Sequence, residues 1–131
     1  MSLSLMPGGA DAATAMAAGA AAGAAGWRPL CALADLVANS GIVALADGEQ
    51  VALFYLPETE QKVWAVGNRD PKSGANVIGR GLLGQLGDDL VIASPLYKQH
   101  FRLSDGACLE YPEQQLRVWP ARLNGDVVEI G

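Results

Sequence analysis

Three turn signals, Asp47-Gly48, Asp105-Gly106 and Asn124-Gly125, cut this chain into apolar runs too short to be helices of any length. Such pairs suit a two-residue hairpin turn, because Asn, Asp and Gly accept a positive φ at least cost. Trp27 to Leu33 reads as a strand, and Ala34 to Ser40 as a turn or a single helical turn. Gly41 to Ala46 is a strand again, closed by Asp47-Gly48, with the apolar and aromatic run Gln50 to Leu56 returning beside it. Pro57 stops that run, and the polar Glu58-Thr59-Glu60-Gln61 turn leads into Lys62 to Val66. Turns at roughly eight- to twelve-residue spacing give a meander, so the fold class is all-β, a sandwich or barrel.

From Gly67 to Asp89 the texture changes, with six glycines and only scattered apolar residues. This stretch is expected to be one long loop, and long loops in compact domains usually bind something. Leu90 to Ala93 is then a short buried strand, followed by a loop at Ser94 and a strand from Gln99 to Ser104. Cys108 and Leu109 close the Asp105-Gly106 hairpin, and Leu116 to Leu123 pairs with Asp126 to Ile130 across Asn124-Gly125. Pro120 cannot donate to a ladder, so it predicts an edge or a bulge.

Residues 1–26 are an Ala/Gly leader whose only charge is Asp11, and they are expected to be flexible and to precede a single domain over 27–131. The 131-residue chain holds 14 acidic and 9 basic side chains, a formal charge of −5. With no basic cluster of the kind that tracks phosphates, nucleic acid and anionic membranes are excluded as partners. No apolar run approaches the ~20 residues that span a bilayer. The first basic residue is Arg28, so a secretory signal is not expected. Cys31 and Cys108 lie far apart and could form one disulfide, but read better as two buried free thiols of a reducing compartment; a soluble cytoplasmic protein is expected.

Few chemistries can be assembled from these residues. One histidine and two cysteines cannot supply a zinc site. Ser94 and His100 could align with Asp70 or Asp105 as a triad, yet Ser94 lacks the glycine-flanked strand–turn–helix of a nucleophile elbow. Gly79-Arg80-Gly81-Leu82-Leu83-Gly84 spells a dinucleotide fingerprint but has no helix after it. Five of the nine basic residues, Arg69, Lys72, Arg80, Lys98 and Arg102, lie between positions 69 and 102 beside His100. If their loops converge, that end of the domain offers a docking face.

The series Gly67-Asn68-Arg69-Asp70-Pro71, Ser73-Gly74-Ala75-Asn76-Val77 with Arg80-Gly81, and Ala93-Ser94-Pro95-Leu96-Tyr97-Lys98-Gln99 carries a resemblance. Phe101 and the closing Leu109-Glu110-x-Pro112 follow in order. Together they resemble the small subunits of the NAD(P)H-dependent assimilatory nitrite reductases, a branch of the Rieske-like domains without cluster ligands. The resemblance covers about residues 27–131.

It implies a Rieske-like antiparallel β-barrel or sandwich with Greek-key-like hairpins and little helix. A Rieske cluster needs two cysteine thiolates and two imidazoles. By this resemblance Asn68, Asp70, Ser94 and Tyr97 stand at those four positions, so no cluster, no other metal and no active site are expected in this chain. The family's large catalytic subunit would hold FAD, [4Fe–4S] and sirohaem and reduce nitrite to ammonium. This chain would act by binding that subunit, through Asn68, Arg69, Asp70, Lys72, Arg80, Pro95, Tyr97, Lys98 and His100. Tyr97 would anchor the interface, bond its hydroxyl across to Asp70, or do both. The alternatives are a Rieske-type [2Fe–2S] electron carrier and an adaptor for some other oxidoreductase.

Overall fold

A computed structural model describes residues 26–131, so the expectation for the Ala/Gly leader lies outside the described residues. Among the described residues ten strands form three antiparallel sheets: β1 (Arg28–Ala32), β2 (Ser40–Ala46), β3 (Glu49–Tyr55), β4 (Val63–Gly67), β5 (Leu82–Leu86), β6 (Asp89–Ala93), β7 (His100–Arg102), β8 (Val118–Trp119), β9 (Ala121–Asn124) and β10 (Val127–Ile130). One sheet runs β9-β10-β1, the second β2-β3-β4-β8 and the third β5-β6-β7. Two short 3₁₀ turns, Leu33–Asp35 and Ile78–Arg80, are the helical elements among the described residues.

The four-stranded sheet is the middle layer, and the β3 sequence shows why. Val51 and Leu53 point into one core with Leu30, Val63, Trp119, Val128 and Ile130. Ala52 and Phe54 point the other way, into a second core with Val66, Ile78, Ile92, Phe101 and Leu103. A strand buried on both faces has no polar side, so it reads as a continuous apolar run rather than an alternation. Each fully buried aliphatic or aromatic side chain contributes about 1.5–3 kcal/mol relative to exposure. The stack is sandwich-like, and none of the three sheets closes into a barrel.

The turns behave as their residues dictate. Asp47 and Gly48 both take positive φ, 53° and 80°, between the paired Ala46 and Glu49. At the last hairpin the register shifts by one residue: Asn124 pairs with Val127, so the two-residue loop is Gly125-Asp126. Pro120 marks a change of sheet. Val118 and Trp119 pair with β4 in the middle layer, whereas Ala121 onward pairs with β10 in an outer one. A residue without an N–H suits the point where one ladder ends and another starts.

The stretch 67–89 corrects the expectation of one long loop. Only residues 68–77 are loop, followed by the Ile78–Arg80 turn and then β5, which pairs fully with β6 around Gly87-Asp88. β5 is an edge strand with Leu82, Gly84, Gln85 and Leu86 exposed. Lacking a buried face, it carries no period-two pattern for a sequence reading to detect. The strand expected over Gln99 to Ser104 shortens to His100–Arg102, leaving Gln99 in the preceding loop.

Candidate functional site

Two loops meet at one end of the sandwich: 68–77, leaving β4, and 94–99, joining β6 to β7. The first folds on Asp70. Its Oδ1 accepts from the backbone N–H groups of Lys72 (2.8 Å) and Ser73 (3.4 Å), an Asx-type turn that Pro71 stiffens. The Asp70 N–H donates to Ala75 O at 2.8 Å and Gly74 N–H donates to Asp70 O at 2.7 Å, with Gly74 at φ 77°. The second loop closes between Ser94 and Gln99, each end tied by backbone bonds of 3.0 Å, with Lys98 at φ 63°.

The loops are bonded to one another through buried side chains. Ser94 Oγ donates to Asp70 Oδ2 at 2.5 Å, and Gln99 Nε2 donates to Asp70 Oδ1 at 3.0 Å. Gln99 Nε2 also reaches Gln114 Oε1 at 3.2 Å. Asp70 and Ser94 are fully buried and Gln99 nearly so. A buried carboxylate with four donors is satisfied without a cation. Asn68 makes a separate tie, donating from Nδ2 to Gln50 Oε1 (2.9 Å) and accepting at Oδ1 from Gly79 N–H (2.7 Å). It thereby fixes the 3₁₀ turn to the end of β3.

Of the two roles weighed for Tyr97, the bond to Asp70 is not made: Ser94 and Gln99 take that carboxylate. Tyr97 is instead 53% exposed, with the Lys72 ammonium 4.7 Å from its ring centroid. The same ammonium lies 5.8 Å from the Tyr111 ring. Tyr111 and Gln99 were the residues sequence reasoning left without a role. Gln99 belonged to the quoted series, but nothing local shows that it turns inward.

The Ser94–His100 pairing is not formed either. His100 Nδ1 lies 2.6 Å from Glu110 Oε2, and its backbone N–H donates to Glu110 Oε1 at 2.8 Å. Burial raises the Glu110 pKa, but the His100 N–H and imidazole outweigh it and hold the carboxyl below its ordinary value. Arg102 is bound by Asp105 at 2.9 Å and faces Asp89 at 3.7 Å. Hydrogen bonds from Arg102 and the Ala107 N–H lower the Asp105 pKa. Arg102 is thus neutralised by neighbouring acids, and the His100 ring is held by Glu110. Arg69, Lys72, Arg80 and Lys98 are exposed on the loops and form no ion pair among the described residues.

A cleft of about 770 Å³ between β2, the Ile78–Arg80 turn and β5 is lined by small and aliphatic residues, with Arg80 its one charged group. Ser40 is its one hydroxyl side chain, and no histidine, carboxylate or thiol is among the residues that line it.

The donor chemistry decides what the loop pair can hold. A Rieske cluster requires thiolates and imidazoles, whereas the two loops, 68–77 and 94–99, contain neither a cysteine nor a histidine and offer an amide, a carboxylate, hydroxyls and a phenol. Asp70 and Ser94 moreover close on each other, occupying the gap between the loops with a direct bond. These residues do not fit a [2Fe–2S] cluster. The fold and its site therefore define a Rieske-like domain whose two end loops are joined by hydrogen bonds.

Comparison with known proteins agrees. Residues 26–131 match the family described as "Rieske-like [2Fe-2S] domain". The chain is 40% identical over 104 residues to the nitrite reductase (NADH) small subunit of Salmonella typhimurium, covering 79% of this chain and 95% of that one. The NMR structure of the Escherichia coli protein NirD superposes with a TM-score of 0.71 at 38% identity, covering 79% and 94% of the two chains. A stretch of 105 residues is 39% identical to part of the nitrite reductase [NAD(P)H] large subunit of Klebsiella oxytoca, covering 80% of this chain and 11% of that protein. The ferredoxin of carbazole 1,9a-dioxygenase from Nocardioides aromaticivorans, at 18% identity and a TM-score of 0.67 over 80% and 96% of the chains, shares the fold. This chain belongs to the nitrite reductase small-subunit family of Rieske-like domains.

Proposed function

We propose that the chain serves as the small subunit of an NAD(P)H-dependent nitrite reductase and acts by binding the large catalytic subunit, with no redox centre or active site of its own. The observation that carries this reading is the Asp70–Ser94–Gln99 bridge, which joins with hydrogen bonds the two loops that, by the family resemblance, would grip iron in a cluster-bearing Rieske domain. A domain that keeps the scaffold without the donors has its surface left to work with. The names of its relatives supply the partner, and the Klebsiella oxytoca protein named as a large subunit carries a homologous stretch within the same polypeptide. Covalent union in one protein supports association between separate chains in another.

In this reading electrons reach nitrite through the large subunit, whose FAD, [4Fe–4S] cluster and sirohaem follow from the family resemblance. The buried Asn68 and Asp70 shape the contact, and Arg69, Lys72, Arg80, Pro95, Tyr97, Lys98 and His100 stand on or beside it. Locking the loops in the free protein lowers the ordering cost of association. A cytoplasmic setting belongs to the same reading, since Cys31 and Cys108 are free thiols.

Reconstitution tests it: nitrite reduction and the thermal stability of the large subunit are measured with and without this chain, alongside the iron content of the chain itself. The expected result is iron-free protein that raises the activity or the stability of its partner. Stoichiometric iron with a visible charge-transfer spectrum, or no effect on either property, would overturn it.

A further inference from the structure

The basic residues of this protein divide by place. Arg28, Arg102, Arg117 and Arg122 pair with Asp47, with Asp105 and Asp89, with Glu49 and with Glu129, so their charges are cancelled where they sit. Of the five exposed cations that make no ion pair among the described residues, Arg69, Lys72, Arg80 and Lys98 lie on or directly after the two joined loops, while Lys62 stands alone in the turn before β4, its ammonium donating to Pro57 O. In a chain of net charge −5 this end is where unpaired cations gather, which favours an acidic surface as its partner.

The same end carries an apolar patch with a cation at its centre. Lys72 Nζ lies 4.7 Å from the Tyr97 ring and 5.8 Å from the Tyr111 ring. Tyr97 and Tyr111 are 53% and 42% exposed, and Leu96 beside Tyr97 and Leu109 two residues before Tyr111 are exposed as well. A lysine over aromatic rings is attracted to them more strongly once desolvated than while wet. Covering the patch therefore strengthens it. The rings also hold the ammonium in one position before any partner arrives, and large aromatic side chains are the usual anchors of protein interfaces. Of the carboxylates on the adjoining loop, Glu110 is already bound by His100. Glu113 is exposed and makes no ion pair among the described residues.

We propose that this face docks the large subunit at an acidic, apolar-floored depression: carboxylates of the partner meet Lys72, Lys98 and Arg69, while Tyr97 and Tyr111 fill the floor. The proposal rests on the small-subunit reading given above and adds the chemistry of the surface that receives it. Carboxylate rims steer encounter and fix orientation, and the buried aromatic pair slows dissociation.

The test measures binding of the full chain to the large subunit from the same organism, at low and at moderate salt. Wild-type protein is expected to bind, and to bind more weakly as salt rises. Lys72→Glu and Tyr111→Ala are each expected to weaken binding at least ~10-fold, the size typical of an interface anchor, and Lys72→Glu also to flatten the salt dependence. Val37→Ser is the control: Val37 is 63% exposed beside the Ala38–Tyr55 bridge, at the end of β3 opposite the Gln50 that holds Asn68. It is expected to bind as wild type does. Thermal unfolding confirms that each variant is folded, and should Tyr111→Ala fail to fold, Lys72→Glu decides alone. Wild-type binding with the folded patch variants within twofold of it would overturn the docking face alone. Failure of wild-type protein to bind the large subunit would overturn the small-subunit reading, and the docking face with it.

Discussion

Asp70 and Ser94, 24 residues apart in the chain, meet in a buried hydrogen bond of 2.5 Å that joins the two loops of the site. In a cluster-bearing relative of this fold, metal would cross-link these loops. Here a hydroxyl and a carboxylate do so, with Gln99 bracing the same carboxylate from its other oxygen.

Ser94→Ala removes a donor and leaves Asp70 Oδ2 buried without it, which costs about 1–3 kcal/mol. Asp70→Ala strands two side-chain donors and two backbone N–H groups and is expected to cost more. Urea denaturation midpoints check both. A midpoint for Ser94→Ala equal to wild type would mean that the loops are held by their backbone bonds alone.

Gly106 turns the hairpin after β7 at φ 76°, and a Cβ there would stand 2.1 Å from Leu116 O and 3.0 Å from Val118 Cγ2. Gly106→Ala combines a strained backbone with a clash against main chain, a loss of more than about 2 kcal/mol. Equilibrium denaturation measures it, and a loss below half that figure would show that the hairpin relaxes.

Acid should loosen the hairpin region around β7. Asp105 and Glu110 both have depressed pKa values in the folded protein, Asp105 through Arg102 and Glu110 through His100 against the opposing effect of burial. The unfolded chain therefore binds more protons in this range. The contribution of both groups is complete above the ordinary carboxylate values of about 4, and it is lost as pH falls through the lower folded values. Melting temperatures across acid pH should fall less steeply for Asp105→Asn and Glu110→Gln than for wild type. Parallel curves would show that these pairs do not contribute to folding.

Burial, reinforced by the carboxylate of Asp35, pushes the Cys31 thiol up to about 12. A raised folded value means that the stabilisation is complete below the ordinary thiol pKa, and is lost as pH rises through the folded one. Cys31 should therefore resist iodoacetamide at pH ~8.5, near the ordinary thiol pKa, and react readily in denaturant, as read by mass spectrometry. Labelling at the same rate in both states would refute it.

Local signals and global packing divided this protein between them. Short apolar runs, Asx-Gly turns and Pro120 determined an antiparallel all-β domain, because turn preference and strand length are properties of neighbouring residues. The glycine-marked loops carried the site residues by resemblance for the same reason. The edge strand β5 was invisible, since an exposed strand has no buried face to impose alternation. Which side chain crosses to Asp70 was beyond sequence as well: Ser94 and Gln99 reach it and Tyr97 does not, because the turn from Ser94 to Gln99 sends its two ends inward and its tip out. Only the packed loops decided that Lys72 should stand between Tyr97 and Tyr111, 39 positions beyond it in the chain for the farther ring. Contacts at that separation depend on how the layers stack, which no local pattern encodes.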